Sequence, residues 1–162
     1  RCNDEFKMDG ITFLDKLVKP RINIKLSNYC TNLTGIEQES LDEYGIDFID
    51  AMHDFKKFTT NCISFSWGND MSWLQCVFDL YKLENFFDTS IFFDLKDIFN
   101  NELKLLSSGE LESRVSGISV IKPGSSHNAM SDCVSLFSVL QKLSNSNEKD
   151  IIRHRIRQIK DA

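Results

Sequence analysis

The sequence predicts an α/β domain whose partly parallel sheet is flanked by helices. Two observations carry this expectation. Short apolar runs of strand character alternate with stretches whose apolar residues recur every three or four positions. The 162 residues also hold only 7 Gly and 2 Pro, too few for a turn-dense sandwich. A chain of this length is one domain by default and can bury a sizeable core.

The elements follow in order. Thr12 to Val18 reads as a short strand, stopped by Pro20. Asn32-Leu33-Thr34-Gly35 is a helix stop, with a new start at Ile36-Glu37-Gln38. Phe48, Ala51, Met52, Phe55 and Phe58 form one face of a helix from about Asp47 to Thr59. Cys62 to Trp67 alternates as a strand. Gly68-Asn69-Asp70 breaks it and offers an N-cap for a helix marked by Trp73, Leu74, Val77, Phe78 and Tyr81. Ile91-Phe92-Phe93 suits a buried strand ahead of Asp94, and Leu95, Ile98, Phe99, Leu103 and Leu106 then keep helical spacing. A short helix is expected from Glu110 to Ser116 and a long one from Asn128 to Leu143. The chain divides into residues 1–145, a single domain, and 146–162, a basic C-terminal helix after the linker-like Ser144-Asn145-Ser146-Asn147.

Charge and cysteine usage narrow the class. With 19 Lys and Arg against 24 Asp and Glu, the formal net charge is −5, which excludes a strongly basic coat for duplex nucleic acid. No apolar run approaches the roughly 20 residues that span a bilayer, so no membrane partner is expected. Cys2, Cys30, Cys62, Cys76 and Cys133 are spread out with no CxxC pair. That spacing predicts buried, reduced thiols and an intracellular, cytoplasmic setting rather than a disulfide framework or a zinc knuckle.

Two places could carry chemistry. In Gly124-Ser125-Ser126-His127-Asn128-Ala129-Met130-Ser131-Asp132-Cys133, His127 and Asp132 are five positions apart. Inside one helix that separation turns them by roughly 140°. They can converge only if His127 lies on the loop before the helix and Asp132 in its first turns. The plainer reading is an exposed His and an early-helix Asp that favours the macrodipole. Asp70 follows a strand and opens a helix, so it belongs at the carboxyl edge of the sheet, where open α/β folds bind ligands. Its plainer reading is an ordinary N-cap, a task that Asn69 can take instead. Phe65, Trp67, Trp73 and Tyr81 are either core or a stacking platform for unpaired bases. Arg153, Arg155, Arg157 and Lys160 are either phosphate contacts or the solvated face of a packed helix.

HNAMSD, SWGNDMSWLQC and SNYCTNLTGIEQ together resemble the DEDDh 3′–5′ exonucleases of the DnaQ-like, RNase H-fold superfamily. FFDLKDIF and the stretch from Leu26 to Phe55 are most similar to the branch related to the histone-mRNA and small-RNA 3′ exonucleases. The resemblance runs from about Asp9 to Leu143 and implies an RNase H-like mixed sheet flanked by helices. It implies Asp70 as the middle carboxylate, His127 as general base and Asp132 as the last metal-binding carboxylate. It also implies two divalent cations, Mg²⁺ or Mn²⁺, which favour carboxylate oxygens and can activate water at a phosphodiester. His titrates near 6.5, so it can accept a proton from that water at neutral pH.

One part of the family pattern has no counterpart. The first strand of the family carries Asp-x-Glu, and no Asp-x-Glu occurs among the 162 residues. The first strand is therefore expected to lie upstream of Arg1, the alternative being a degenerate member. The resulting expectation is a metal-dependent 3′–5′ exonuclease hydrolysing single-stranded 3′ ends, RNA rather than DNA. Its rival is a catalytically inactive module that keeps the fold and binds nucleic acid or a protein partner.

Overall fold

The computed structural model of the chain describes residues 12–95 and 129–143, together with positions 154 and 158. Its elements are α1 (Asn28–Thr34), α2 (Gln38–Tyr44), α3 (Phe48–Thr59), β1 (Ser64–Ser66), α4 (Asp70–Leu80), a 3₁₀ turn (Thr89–Ile91), β2 (Phe92–Asp94) and α5 (Ala129–Leu143). The described part is α/β. β1 and β2 pair in parallel, with Ser64 opposite Phe92, Phe65 opposite Phe93 and Ser66 opposite Asp94. A parallel pair needs a crossover, and α4 supplies it.

Each helix boundary has a local cause. Ser27 caps α1 by accepting the Cys30 amide at 3.1 Å. Gly35 ends α1 with its N–H on the Thr31 carbonyl. Gly45 follows α2 where the chain passes close to itself: a Cβ there would collide with the Leu41 carbonyl and sit 2.8 Å from the Lys19 side chain. Asp47 caps α3, its carboxylate accepting the Ile49 amide at 2.8 Å. Asp50 in the first turn and Lys56 and Lys57 in the last complement the helix dipole of α3.

The core is aromatic, as 13 Phe in the chain foreshadow. Phe48, Phe78 and Phe87 are buried together, with Met52, Phe55, Leu74, Val77 and Phe92 packed against them. Phe48 meets Phe78 and Tyr81 edge-on, each at 5.2 Å between ring centres. Phe86 stacks on Phe87 at 5.1 Å. Such ring pairs add about 0.5–1.5 kcal/mol beyond the area they bury. Lys56 ties α3 to the segment before β2, donating to the Phe86 carbonyl at 3.0 Å.

The structure corrects several expectations. The strand expected over Thr12–Val18 is a single parallel bridge, Val18 to Ile46. Its hydrogen bonds run from Lys19 N–H to the Ile46 carbonyl and from Ile46 N–H to the Leu17 carbonyl, both 2.8 Å. Ile46 lies between the ends of α2 and α3, so the ladder has no room to extend. The strand expected over Cys62–Trp67 shortens to β1, because the Cys62 amide is taken by the Thr59 carbonyl in the turn that closes α3. Among the described residues the thiols are not buried as expected: Cys30 and Cys62 are half-buried, and Cys76 and Cys133 are exposed, while Cys2 lies outside the described residues. Cys76 falls between Leu74 and Val77, off the inward face of α4. The helices expected beyond Leu95 and over 110–116 lie outside the described residues, as does the C-terminal segment except helical His154 and Gln158, whose side chains meet at 3.0 Å.

Candidate active site

The carboxyl ends of β1 and β2 share one edge of the sheet, because Ser66 is in register with Asp94. The chain leaves β1 through Trp67, Gly68 and Asn69 and enters α4 at Asp70. Gly68 has φ +109°, a backbone conformation that disfavours a Cβ even though no atom would obstruct one. Ser66 Oγ donates to the Gly68 carbonyl at 2.8 Å, and the Gly68 N–H donates to Asp94 Oδ1 at 2.8 Å. The turn is thereby held from both strands.

Asn69 occupies the N-cap position of α4 but makes no side-chain cap bond to the backbone. Its Oδ1 accepts instead from the Ser72 hydroxyl at 2.7 Å, while its carbonyl takes the Ser72 and Trp73 amides. Asp70, the first residue of the helix, is exposed and is not the cap. Partial desolvation by the atoms crowding one side of the exposed Asp70 carboxyl raises it above its usual value, and the negative charge of Asp94 raises it further.

α5 brings in the second acidic position. Asp132 lies in its first turn and is exposed. The neighbouring thiol of Cys133 is pushed up, chiefly by desolvation of its sulfur and then by the charge of Asp132, with Asp70 and Asp15 adding to it. The residue keeps an exposed surface despite that desolvation, because a side chain can be wet on one flank and crowded on the other. The start of α4 and the first turn of α5 thus lie within electrostatic reach of one thiol.

The remaining candidates are placed as follows. His127, Arg153, Arg155, Arg157 and Lys160 lie outside the described residues. Trp73 stands on the first turn of α4 with 73% of its surface exposed. Trp67 is half-buried at the turn after β1. Phe65 packs against Phe93 across the sheet, and Tyr81 belongs to the core beside Phe48, so neither is an open platform. Asp94 carries no motif of its own in the sequence. The available signal is its register: the last residue of a parallel strand lies on the same edge as the turn that bears Asp70. An open polar cleft of about 430 Å³, lined by residues such as Asn28, Thr31 and Glu37, contains neither Asp70 nor Asp132.

Asp70 and Asp132 offer the hard oxygen donors that Mg²⁺ or Mn²⁺ take, so the donor chemistry fits such an ion. Among the described residues, no group of three or more His, Cys, Asp or Glu side chains is arranged to hold a metal. Among them, too, no helix is long and apolar enough to cross a membrane.

Comparisons with known proteins agree with this architecture. Residues 2–140 match the family described as Exonuclease, RNase_T. The chain is 29% identical over 166 residues to the 3′–5′ exonuclease crn-4 of Caenorhabditis elegans, covering 91% of this chain and 53% of that protein. A solved structure describing 3′-end-specific recognition of a histone mRNA stem-loop by a 3′-exonuclease superposes with a TM-score of 0.66 at 19% identity. That match covers 80% of this chain and 62% of the other. The crystal structure of cell-death related nuclease 4 superposes with a TM-score of 0.58 at 24% identity, over 80% of this chain and 49% of the other. The chain therefore spans about half the length of the curated relative it matches. Its fold is the RNase H-like fold of these exonucleases.

Proposed function

The chain belongs to the RNase_T exonuclease family, and from that premise we propose that it is a metal-dependent 3′–5′ exonuclease acting on single-stranded 3′ ends, RNA before DNA. The observation that best supports this reading is electrostatic. Asp70, beside Asp94 at the carboxyl edge of the sheet, and Asp132 at the start of α5 both act on the Cys133 thiol. The repulsion between Asp70 and Asp94 at the sheet edge is a setting that a divalent cation relieves.

In this reading Asp70 and Asp132 hold Mg²⁺ or Mn²⁺. When bound, such ions supply the positive charge that polarises a phosphodiester and acidifies the attacking water. His127 takes the proton from that water, a task suited to an imidazole, which exchanges protons near neutral pH. Trp67 and Trp73 stack on unpaired bases, and Arg153, Arg155 and Arg157 contact phosphates. The structural neighbour recognises the 3′ end of a histone mRNA stem-loop, which favours RNA as the substrate class here.

The test uses the complete natural protein with a 3′-hydroxyl single-stranded RNA. With Mg²⁺ or Mn²⁺ the strand should shorten one nucleotide at a time, and EDTA should stop the reaction. His127→Ala should lower kcat sharply and leave RNA binding largely intact, whereas Asp132→Asn should lower both rate and metal affinity. The second reading, an inactive binding module, holds if the complete protein carries no Asp-x-Glu, a pair that does not occur among these 162 residues. RNA that is bound and never cut by the complete protein would establish that reading and end the first.

A further inference from the structure

We propose that Asp94 is a positioning residue for Asp70: its carboxylate holds the Gly68 amide and so fixes the turn from which Asp70 enters the site. The inference rests on the reading of Asp70 as a metal-binding carboxylate and adds to it a residue that need not touch the metal itself.

The geometry begins with the register of the sheet. Ser66 and Asp94 are paired residues at the carboxyl ends of β1 and β2. The chain then turns within a few residues to start α4, and Gly68 makes that turn with φ +109°. A glycine in this region is free to relax, since it carries no side chain to anchor it. Two side chains supply the anchorage. Ser66 Oγ binds the Gly68 carbonyl from the same strand, and Asp94 Oδ1 accepts the Gly68 N–H from the neighbouring strand, each at 2.8 Å.

The Asp94 bond is charge-assisted, which makes it stronger than the neutral hydroxyl bond to the Gly68 carbonyl. The Gly68 carbonyl in turn accepts the Asp70 amide at 3.0 Å. A continuous path of hydrogen bonds therefore links the Asp94 carboxylate, Gly68 and the backbone of Asp70. The side chain of Asp94 spans 26 positions of sequence to do this. β2 thereby dictates where the first residue of α4 stands. Groups that orient a metal-binding carboxylate commonly matter almost as much as the ligand itself.

The experiment compares Asp94→Ala, Asp94→Ser and Asp94→Asn in the complete protein, with thermal melts to confirm folding. Asn keeps an acceptor oxygen for the Gly68 amide and removes the charge. Ser is too short to reach, and it serves if the Ala variant does not fold. Mn²⁺ binding is read by electron paramagnetic resonance without RNA, and exchange of the Gly68 amide by NMR. The Ala and Ser variants should bind Mn²⁺ about 10- to 100-fold more weakly, and their Gly68 amide should lose protection. Asp94→Asn should retain both. Wild-type affinity for Mn²⁺ in folded Ala and Ser variants overturns the proposal, as does an Asn variant that falls as far as Ala. A wild-type protein that binds no Mn²⁺ instead overturns the reading of Asp70, an outcome separable from the first because Gly68 exchange is measured without metal.

Discussion

Arg21 and Asp47 form a two-point ion pair, with Nε to Oδ2 at 3.1 Å and Nη2 to Oδ1 at 2.8 Å. The same carboxylate caps α3 through the Ile49 amide. Arg21 also lies over the Tyr81 ring at 5.6 Å, and its own amide donates to Tyr81 Oη at 3.1 Å. One side chain thus ties the segment after Val18 to the start of α3 and the end of α4.

The pair predicts a pH dependence. The Arg21 guanidinium, chiefly, and the Ile49 amide hold the Asp47 carboxyl below its usual range. The unfolded carboxyl titrates near 3.9, so the unfolded chain binds the proton more readily than the folded one. The stabilisation is therefore complete above about pH 5 and is lost as pH falls through the depressed folded value. Thermal melts of the wild type and Asp47→Asn should differ at pH 7 and converge only as the pH falls below the depressed folded value of the carboxyl. Because the pair is exposed, added salt should also shrink the difference. Curves that stay parallel across that range would deny the ion pair its role.

Phe78 should be the most costly single truncation in the described core. None of its surface is exposed, and it packs edge-on against Phe48, Phe86 and Phe87. Phe78→Ala removes a ring from three such contacts and leaves a cavity that the surrounding rings fill poorly. The expected loss is about 3–5 kcal/mol, against a total stability of about 5–15 kcal/mol for a domain. Chemical denaturation measures it. A loss below about 1 kcal/mol, ordinary for any substitution, would remove Phe78 from the centre of the core.

The sequence makes some of this legible and hides the rest for physical reasons. The α3 face of Phe48, Ala51, Met52 and Phe55 is readable because burial on one side of a helix imposes a period on the sequence. Asp70 at the head of α4 is readable because a glycine break after a strand announces the turn. Thr12–Val18 misleads because strand character fixes no ladder length, and pairing geometry at Ile46 limits this one to a single bridge. Asp94 is silent for a different reason. A carboxylate at a strand end can accept from many amides, and only the register of β1 against β2 selects Gly68.

Trp73 separates a nucleic-acid contact from a packing role. It lies three positions after Asp70, on the first turn of the same helix, with 73% of its surface exposed. An indole left that open contributes little to the fold, so Trp73→Ala should change stability by no more than about 0.5 kcal/mol. If a base near the cleaved end stacks on the ring, the same change should weaken binding of a single-stranded RNA by about 1–3 kcal/mol. Tyr81→Ala provides the contrast, since Tyr81 packs on Phe48 and accepts the Arg21 amide. That variant should lose stability, with any loss of binding following from it. Fluorescence anisotropy with a labelled RNA, read beside melts of both variants, makes the comparison. An unchanged Kd for Trp73→Ala would leave the ring as plain surface and move the search for the stacking partner to Trp67, at the turn that follows β1.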